Sequence, residues 1–139
     1  LTAEDCPHLE DLRRAYSAEM SDSEDGTNCS GFAPALLSHP NVLCWGAFMN
    51  AELVAFAVVF HLPEAISGRW CGLLDDLYVA PEARRKGLAR NLLETIFRHG
   101  QEENWTHLRW LVPETDAPAI ALYERVADEA PWRSFMIYY

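Results

Sequence analysis

The stretch Tyr78–Leu93, with the sequence YVAPEARRKGLARNLL, decides the fold of this chain. Strand-forming residues lead into it, and Pro81 marks the end of the strand because proline offers no N–H to a sheet. After Gly87 the apolar residues Leu88, Leu92 and Ile96 recur every fourth position, as on the buried side of an amphipathic helix. The stretch therefore predicts a strand, a turn through glycine and a helix.

The turn carries an unusual concentration of positive charge. The chain has 11 Lys and Arg residues against 21 Asp and Glu, and four of the cations lie here, at Arg84, Arg85, Lys86 and Arg90. Cations oppose the helix dipole at an N-terminus, whereas the free N–H groups of a first turn attract anions. We therefore expect a bound anion, and a diphosphate fits best because Gly87 allows close approach to the main chain. A solvated charged surface is the alternative.

Composition limits the classes of partner. A formal net charge of -10 argues against general nucleic-acid binding and favours a cationic or neutral partner. The four cysteines form no C-x-x-C pair, which favours reduced thiols in a cytoplasmic protein and predicts no metal site. The chain contains no apolar run of about 18 residues that could span a membrane. It starts at Leu1 rather than at a methionine, which is compatible with a first strand upstream.

The order of predicted elements indicates one mixed α+β domain over residues 1–139. A helix at 7–20 is followed by a hairpin of two strands around Asn50 and by a strand at 69–79. Beyond the glycine turn and its helix we expect a strand at 107–113, a helix at 117–127 and a final strand at 133–139. Such an order predicts a central sheet with helices on its faces.

These residues resemble a known family. The segment RRKGLA, Arg84–Ala89, resembles the R/Q-x-x-G-x-G/A signature of the GNAT superfamily of N-acetyltransferases, and the likeness extends from about Gly72 to Arg125. It implies a mixed, mostly antiparallel sheet whose strands splay to form an acetyl-CoA slot. By resemblance, the pyrophosphate of acetyl-CoA is bound by the signature loop and its neighbour: Arg84, Arg85, Lys86, Gly87, Leu88, Ala89 and Arg90.

The resemblance also assigns the strand before the turn. Its backbone groups at Leu77, Tyr78 and Val79 are implied to bind the pantetheine arm, and two adjacent acids in LLDDLYV are compatible with a β-bulge there. Asp116 stands where the family often has an asparagine that contacts the cofactor. The Gly-Phe pair that usually follows the later tyrosine segment is absent.

Acetyl transfer to nitrogen needs a base, because an alkylamine with a pKa of about 10.4 is almost fully protonated at neutral pH. Asp75 and Asp76 are the candidates; strand alternation directs them to opposite faces, and the resemblance favours Asp75. An ordinary role at a strand end is the alternative for both. The family tyrosine that protonates the departing thiolate corresponds to Tyr123, although its position also suits a buried helix face.

The acceptor is predicted from charge. Glu19, Asp22 and Glu24 follow or end the first helix, where the family often lines its acceptor site, and they favour a cationic primary amine on a small molecule or peptide. Two other functions stay open: a non-catalytic acyl-CoA sensor, and a nucleic-acid or phosphoprotein docking domain. The apolar final strand is compatible with a homodimer or with an ordinary sheet edge.

Overall fold

The protein is described here by a computed structural model that covers residues 1–20 and 31–138. Four helices are present in these ranges: α1, Cys6–Met20; α2, Ala33–Ser38; α3, Leu88–Glu102; and α4, Ala117–Tyr123. Four strands form one sheet in the order β1-β2-β3-β4: β1, Val42–Met49; β2, Glu52–Glu64; β3, Arg69–Val79; and β4, Leu108–Arg109. The first three strands are antiparallel, and β4 joins β3 in parallel. The predicted mixed sheet with flanking helices is confirmed.

The sheet is covered on both faces around the apolar middle of β2. β2 is buried from Leu53 to Val59, and its side chains alternate between two cores. Phe56 and Val58 pack with Leu9 and Leu12 of α1. Ala57 and Val59 pack with Leu93 and Ile96 of α3. Ile96 is one of the residues whose spacing predicted this helix. The chain therefore forms three layers, with α1 and α2 on one face and α3 on the other.

Two strand predictions were wrong: one strand is shorter than expected, and the other is not formed in the described residues. The strand expected at 107–113 is reduced to Leu108 and Arg109, since the chain then leaves β3 and loses its hydrogen-bond partners. The final strand expected at 133–139 is not formed in residues 133–138; the large apolar side chains there are exposed. β-rich composition creates a strand only where a neighbouring strand supplies partners. The last predicted helix also ends early, at Tyr123.

The hairpin and the junction after α3 follow their sequence signals. Asn50 and Ala51 connect β1 to β2 with φ of 50° and 65°, the left-handed pair that a tight two-residue hairpin needs. Asn104, just after α3, has φ of 55°, a left-handed conformation that asparagine adopts more readily than most residues. Trp105 then folds back onto Gly100 and donates its main-chain N–H to the Gly100 carbonyl at 2.8 Å. This turn delivers the chain to β4 beside β3.

Candidate active site at the open edge of strand β3

An open strand edge forms where β4 separates from β3. The two strands pair only at Gly72 with Leu108 and at Leu73 with Arg109. From Leu74 to Val79, β3 has a strand neighbour on one side only, within the ranges that the structure describes. The backbone groups on its other side are available to a ligand that lies along the edge. This divergence agrees with the splaying that the resemblance implied.

The predicted β-bulge is present, and it falls on the acidic pair. Val58 of β2 pairs with Asp76, whereas the next residue, Val59, pairs with Leu74. Asp75 is therefore the extra residue. A bulge bends the strand and redirects the side chains around it, so both acids lie where β3 turns away from β4.

The two acids lie in different environments. Asp75 is exposed, and partial removal from water raises the pKa of its carboxyl group. Asp76 is half-buried; its burial and the neighbouring Asp75 charge raise its pKa. A hydrogen bond from Tyr16 and the positive charge of Arg13 act in the opposite direction. The pKa of each carboxyl group is therefore raised from its ordinary value, which makes each carboxylate a stronger proton acceptor and suits a general base.

Tyr16 of α1 is a site residue that sequence reasoning missed. Its hydroxyl is close enough to Asp76 for each group to affect the pKa of the other, and its ring centre lies 4.9 Å from that of Tyr78 and 6.1 Å from that of Phe56. Burial and the Asp76 charge raise the pKa of Tyr16 to about 12, so the hydroxyl remains a donor at neutral pH. The only sequence signal is a tyrosine on the apolar side of an amphipathic helix. That position favours a core residue rather than a site residue.

Tyr123 lies on the opposite side of the sheet from α1, at the end of α4. It packs edge-on against Trp110, with ring centres 5.3 Å apart, and contacts the core beneath α3. Trp110 directly follows β4, so its contact with Tyr123 places the tyrosine beside the segment that diverges from β3. Burial, and to a smaller extent Asp116, raises the pKa of Tyr123. The phenol therefore carries a proton at neutral pH, as a general acid must.

The glycine turn has the geometry of an anion site. Gly87 is the N-cap of α3 with φ of 80°, and a Cβ placed on it would meet no atom within 4 Å. The first helical hydrogen bond runs from the Asn91 N–H to the Gly87 carbonyl at 3.0 Å, which leaves the preceding N–H groups to outside acceptors. Arg85, with φ of 62°, and Lys86 are exposed beside them. Open space, free donors and positive charge fit a diphosphate.

Three other predicted cofactor residues already have partners. The Arg90 guanidinium contacts Glu94 at 2.8 Å. The Arg84 guanidinium contacts both carboxylate oxygens of Glu19 at 2.7 Å. Asp116 caps α4, where its side chain accepts a hydrogen bond of 3.1 Å from the Ala119 N–H. Capping with a carboxylate explains why aspartate can stand at this helix start.

The predicted acceptor residues are only partly covered by the structure. Glu19 lies in the last turn of α1, where Arg84 holds the pKa of its carboxyl group below the usual range. Asp22 and Glu24 lie outside the described residues. In the part of the chain that is described, no group of three or more His, Cys, Asp or Glu side chains is placed to hold a metal ion. No described helix combines the length and apolar character needed to cross a membrane.

Comparison with known proteins gives the family. The model of the acetyltransferase (GNAT) family matches residues 7–127. The chain belongs to the GNAT family. This membership agrees with the glycine turn, the bulge and the diverging strand, and the family's acyl donor is acetyl-CoA.

Individual relatives are N-acetyltransferases. Over 80 residues the chain is 30% identical to a thialysine N-epsilon-acetyltransferase of Caenorhabditis elegans, a match that covers 58% of this chain and 49% of the relative. Over 98 residues it is 28% identical to the D-amino-acid N-acetyltransferase HPA3 of Saccharomyces cerevisiae, covering 63% and 57%. The chain thus spans about half the length of the curated relatives it matches.

A solved structure confirms the fold over the full length. The ribosomal-protein-alanine N-acetyltransferase from Brucella melitensis biovar Abortus 2308 superposes with a TM-score of 0.84 at 27% identity. The superposition covers 100% of this GNAT chain and 96% of that chain. The open sheet and its helices are therefore those of an N-acetyltransferase fold.

Proposed function

We propose that this GNAT domain transfers the acetyl group of acetyl-CoA to a primary amine of a small, cationic molecule or peptide. The nitrogen attacks the thioester directly, without a metal ion or a covalent enzyme intermediate. One observation carries the proposal: the open edge of β3 runs from the Asp75 bulge to the Gly87 turn. A ligand held at the turn by its phosphates and along the edge by its arm places its far end at the acids.

The glycine turn supplies the phosphate contacts in this proposal. The main-chain N–H groups at Gly87, Leu88 and Ala89 face the diphosphate, and the side chains of Arg85 and Lys86 add positive charge. Arg90 lies in the first turn of α3 and contributes when it leaves Glu94. The pantetheine arm lies along the open edge of β3 at Leu77, Tyr78 and Val79 and hydrogen-bonds to its backbone, in the manner of an added strand.

Proton movement in this proposal is divided between the two sides of the cleft. Asp75 takes the amine proton, directly or through water; Asp76, beside it, is the second candidate. Their raised pKa values suit this task. Tyr123 donates a proton to the departing thiolate, and a main-chain N–H near Leu77 or Tyr78 meets the developing oxyanion.

The acceptor class rests on charge and on the relatives. Their names give thialysine Nε, a D-amino acid and the alanine of a ribosomal protein as acceptors, all of which are amines. The net charge of -10 and the acids Glu19, Asp22 and Glu24 favour a cationic amine.

We further propose that residues 1–139 act as one cytoplasmic domain. A homodimer formed through the apolar end of the chain is also proposed, and size-exclusion chromatography with light scattering tests it.

The decisive experiment is a thiol-release screen with acetyl-CoA. The panel contains polyamines, lysine analogues, D-amino acids, an aminoglycoside and peptides with a free N-terminal alanine, each checked for the acetylated product by mass spectrometry. We expect amine-dependent thiol release for a cationic member. Binding of coenzyme A without release for any amine would favour a sensor, and an absence of coenzyme A binding would overturn both functions.

A further inference from the structure

Arg84, the first residue of the glycine turn, faces away from the start of α3. Its backbone is extended, with φ of -65° and ψ of 162°. The Nε atom donates to the Val79 carbonyl at 2.9 Å, and one terminal nitrogen donates to both carboxylate oxygens of Glu19 at 2.7 Å. The guanidinium also lies 5.7 Å from the ring centre of Tyr78, whose hydroxyl donates to Glu19 at 3.1 Å. Three residues of two elements thus hold this side chain.

The carbonyl that Arg84 contacts belongs to the open edge of β3. The Ala80 N–H donates to Val54 of β2 at 2.9 Å. Because the N–H and the preceding C=O of a strand point in opposite directions, the Val79 carbonyl points away from β2. Arg84 therefore connects the last turn of α1, through Glu19, to the edge along which the pantetheine arm is proposed to lie.

The next two cations differ from Arg84. Arg85 and Lys86 are exposed and take part in no ion pair with the described residues. The Glu19–Arg84 pair has 43% of each side chain exposed, so its contribution to overall stability is small. Its geometry is nevertheless specific, because a guanidinium that binds a carboxylate and a carbonyl together fixes their relative position.

We propose that Arg84 is a positioning residue that ties the acceptor side of the cleft, at Glu19, to the open edge of β3. This inference rests on the proposed function. It divides the basic cluster into two roles: Arg85 and Lys86 hold the diphosphate, whereas Arg84 sets the distance between the end of α1 and the thioester. Loss of Arg84 then impairs use of the amine more than binding of the coenzyme.

The test compares neighbouring arginines that lose the same charge. In calorimetry with coenzyme A, we expect Arg85→Met to bind about tenfold more weakly, since a charge-assisted phosphate contact is lost, and Arg84→Met to stay within about threefold of wild type. In steady-state assays with the best amine, Arg84→Met and Glu19→Gln should each lower kcat/KM for the amine by about tenfold. The double variant should be no worse than the poorer single variant.

A conservative variant separates position from charge. Arg84→Lys keeps the positive charge but cannot reach the Val79 carbonyl and both Glu19 oxygens together, so we expect it to resemble Arg84→Met in its amine kinetics. A phosphate ligand would instead tolerate lysine. Circular dichroism and thermal unfolding confirm that each variant is folded.

Two results would overturn the inference. One is equal weakening of coenzyme A binding in Arg84→Met and Arg85→Met; the other is additive loss in the double variant. If the wild-type protein transfers acetyl to no amine, the proposed function is wrong, and this result does not decide the role of Arg84. The tie is then judged on the coenzyme A affinities of Arg84→Met and Arg85→Met, where equal weakening contradicts it.

Discussion

At the scale of single residues, the site depends on groups whose protonation is set by their surroundings. Tyr123 and the two aspartates have raised pKa values mainly because they are withdrawn from water. Withdrawal from water has a different consequence for each type of group. It keeps the tyrosine protonated as an acid, and it makes the carboxylates better proton acceptors than free aspartate.

Tyr123→Phe removes the proposed acid but retains the ring that packs on Trp110. We expect kcat to fall by about 100-fold, because general acid catalysis is worth at least that factor, while the dissociation constant for coenzyme A changes less than about twofold. Stopped-assay turnover and calorimetry measure the two quantities. Tyr138→Phe, at an exposed position, is the matched control. Equal losses of turnover and binding would contradict the role.

The pH dependence follows from the sign of the aspartate shifts. Because the pKa of each carboxyl group is raised above 3.8, the carboxylate is lost at a higher pH than usual as pH falls, and activity is lost with it. We expect the acid limb of kcat/KM above pH 3.8. Titration of the amine affects the pH profiles of wild type and variants equally. Comparing the wild-type profile with those of Asp75→Asn and Asp76→Asn therefore shows which acid produces the acid limb.

Tyr16→Phe tests the second acid directly. Loss of the hydroxyl should raise the Asp76 pKa further, because the tyrosine hydroxyl favours the ionised carboxylate. Carbon-13 NMR of the aspartate carboxyl groups measures this pKa even without activity. An unchanged Asp76 titration would show that Tyr16 does not hold this carboxylate.

At the scale of elements, the strand–turn–helix unit contains two possible ligand-binding features, the edge of β3 and the start of α3. β3 supplies a free edge because β4 pairs with only two of its residues, and α3 begins with free N–H groups at a left-handed glycine. Either feature alone is common. In the proposed function, their succession within one continuous segment would direct a ligand with its phosphates at the turn along the strand edge.

Gly87→Ala separates the backbone strain of the turn from its function. A left-handed φ costs a residue with a side chain about 1–2 kcal/mol, and Gly68→Ala is an ideal control because Gly68 has φ of 66° and equally open surroundings. We expect both variants to lose similar unfolding free energy. Only Gly87→Ala should weaken coenzyme A binding, by about tenfold, because its Cβ obstructs close approach of the diphosphate. Equal coenzyme affinities would place the phosphates elsewhere.

At the scale of the whole molecule, the open edge is maintained by the layer beneath it. Trp105 packs between Gly72 of β3 and Gly100 of α3, where a Cβ on either glycine would lie 2.4 Å or 2.8 Å from the indole. This contact fixes the short β3–β4 pairing and hence the point at which β4 diverges. The indole thus acts as a spacer between the helix layer and the sheet.

Gly72→Ala should therefore destabilise the protein by about 1–3 kcal/mol, because the new methyl group overpacks the contact with Trp105 and Leu108. Urea unfolding measures the loss. The strand conformation of Gly72 itself permits alanine, so the cost reports packing rather than backbone strain. An unchanged midpoint would mean that β4 moves without cost, and the opening of the slot would then not depend on this contact.

The sequence by itself determined the units with strong periodicity or turn chemistry. β3 at 69–79, the hairpin around Asn50, the glycine start of α3 and its buried side were all predictable, because each depends on neighbours in the chain. The signature residues Arg84–Ala89 also identified the family from local pattern alone. The acidic pair was compatible with a bulge, whereas its position at Asp75 follows from the strand register.

Only the tertiary structure decided the properties that depend on distant partners. The two-residue length of β4 and the loss of the strand expected at 133–139 follow from which strands become neighbours, which composition does not reveal. Tyr16 meets Asp76, and Arg84 meets Glu19, only when α1 packs on the sheet. Side-chain partners between remote elements are fixed by packing, so they become visible once the layers are in place.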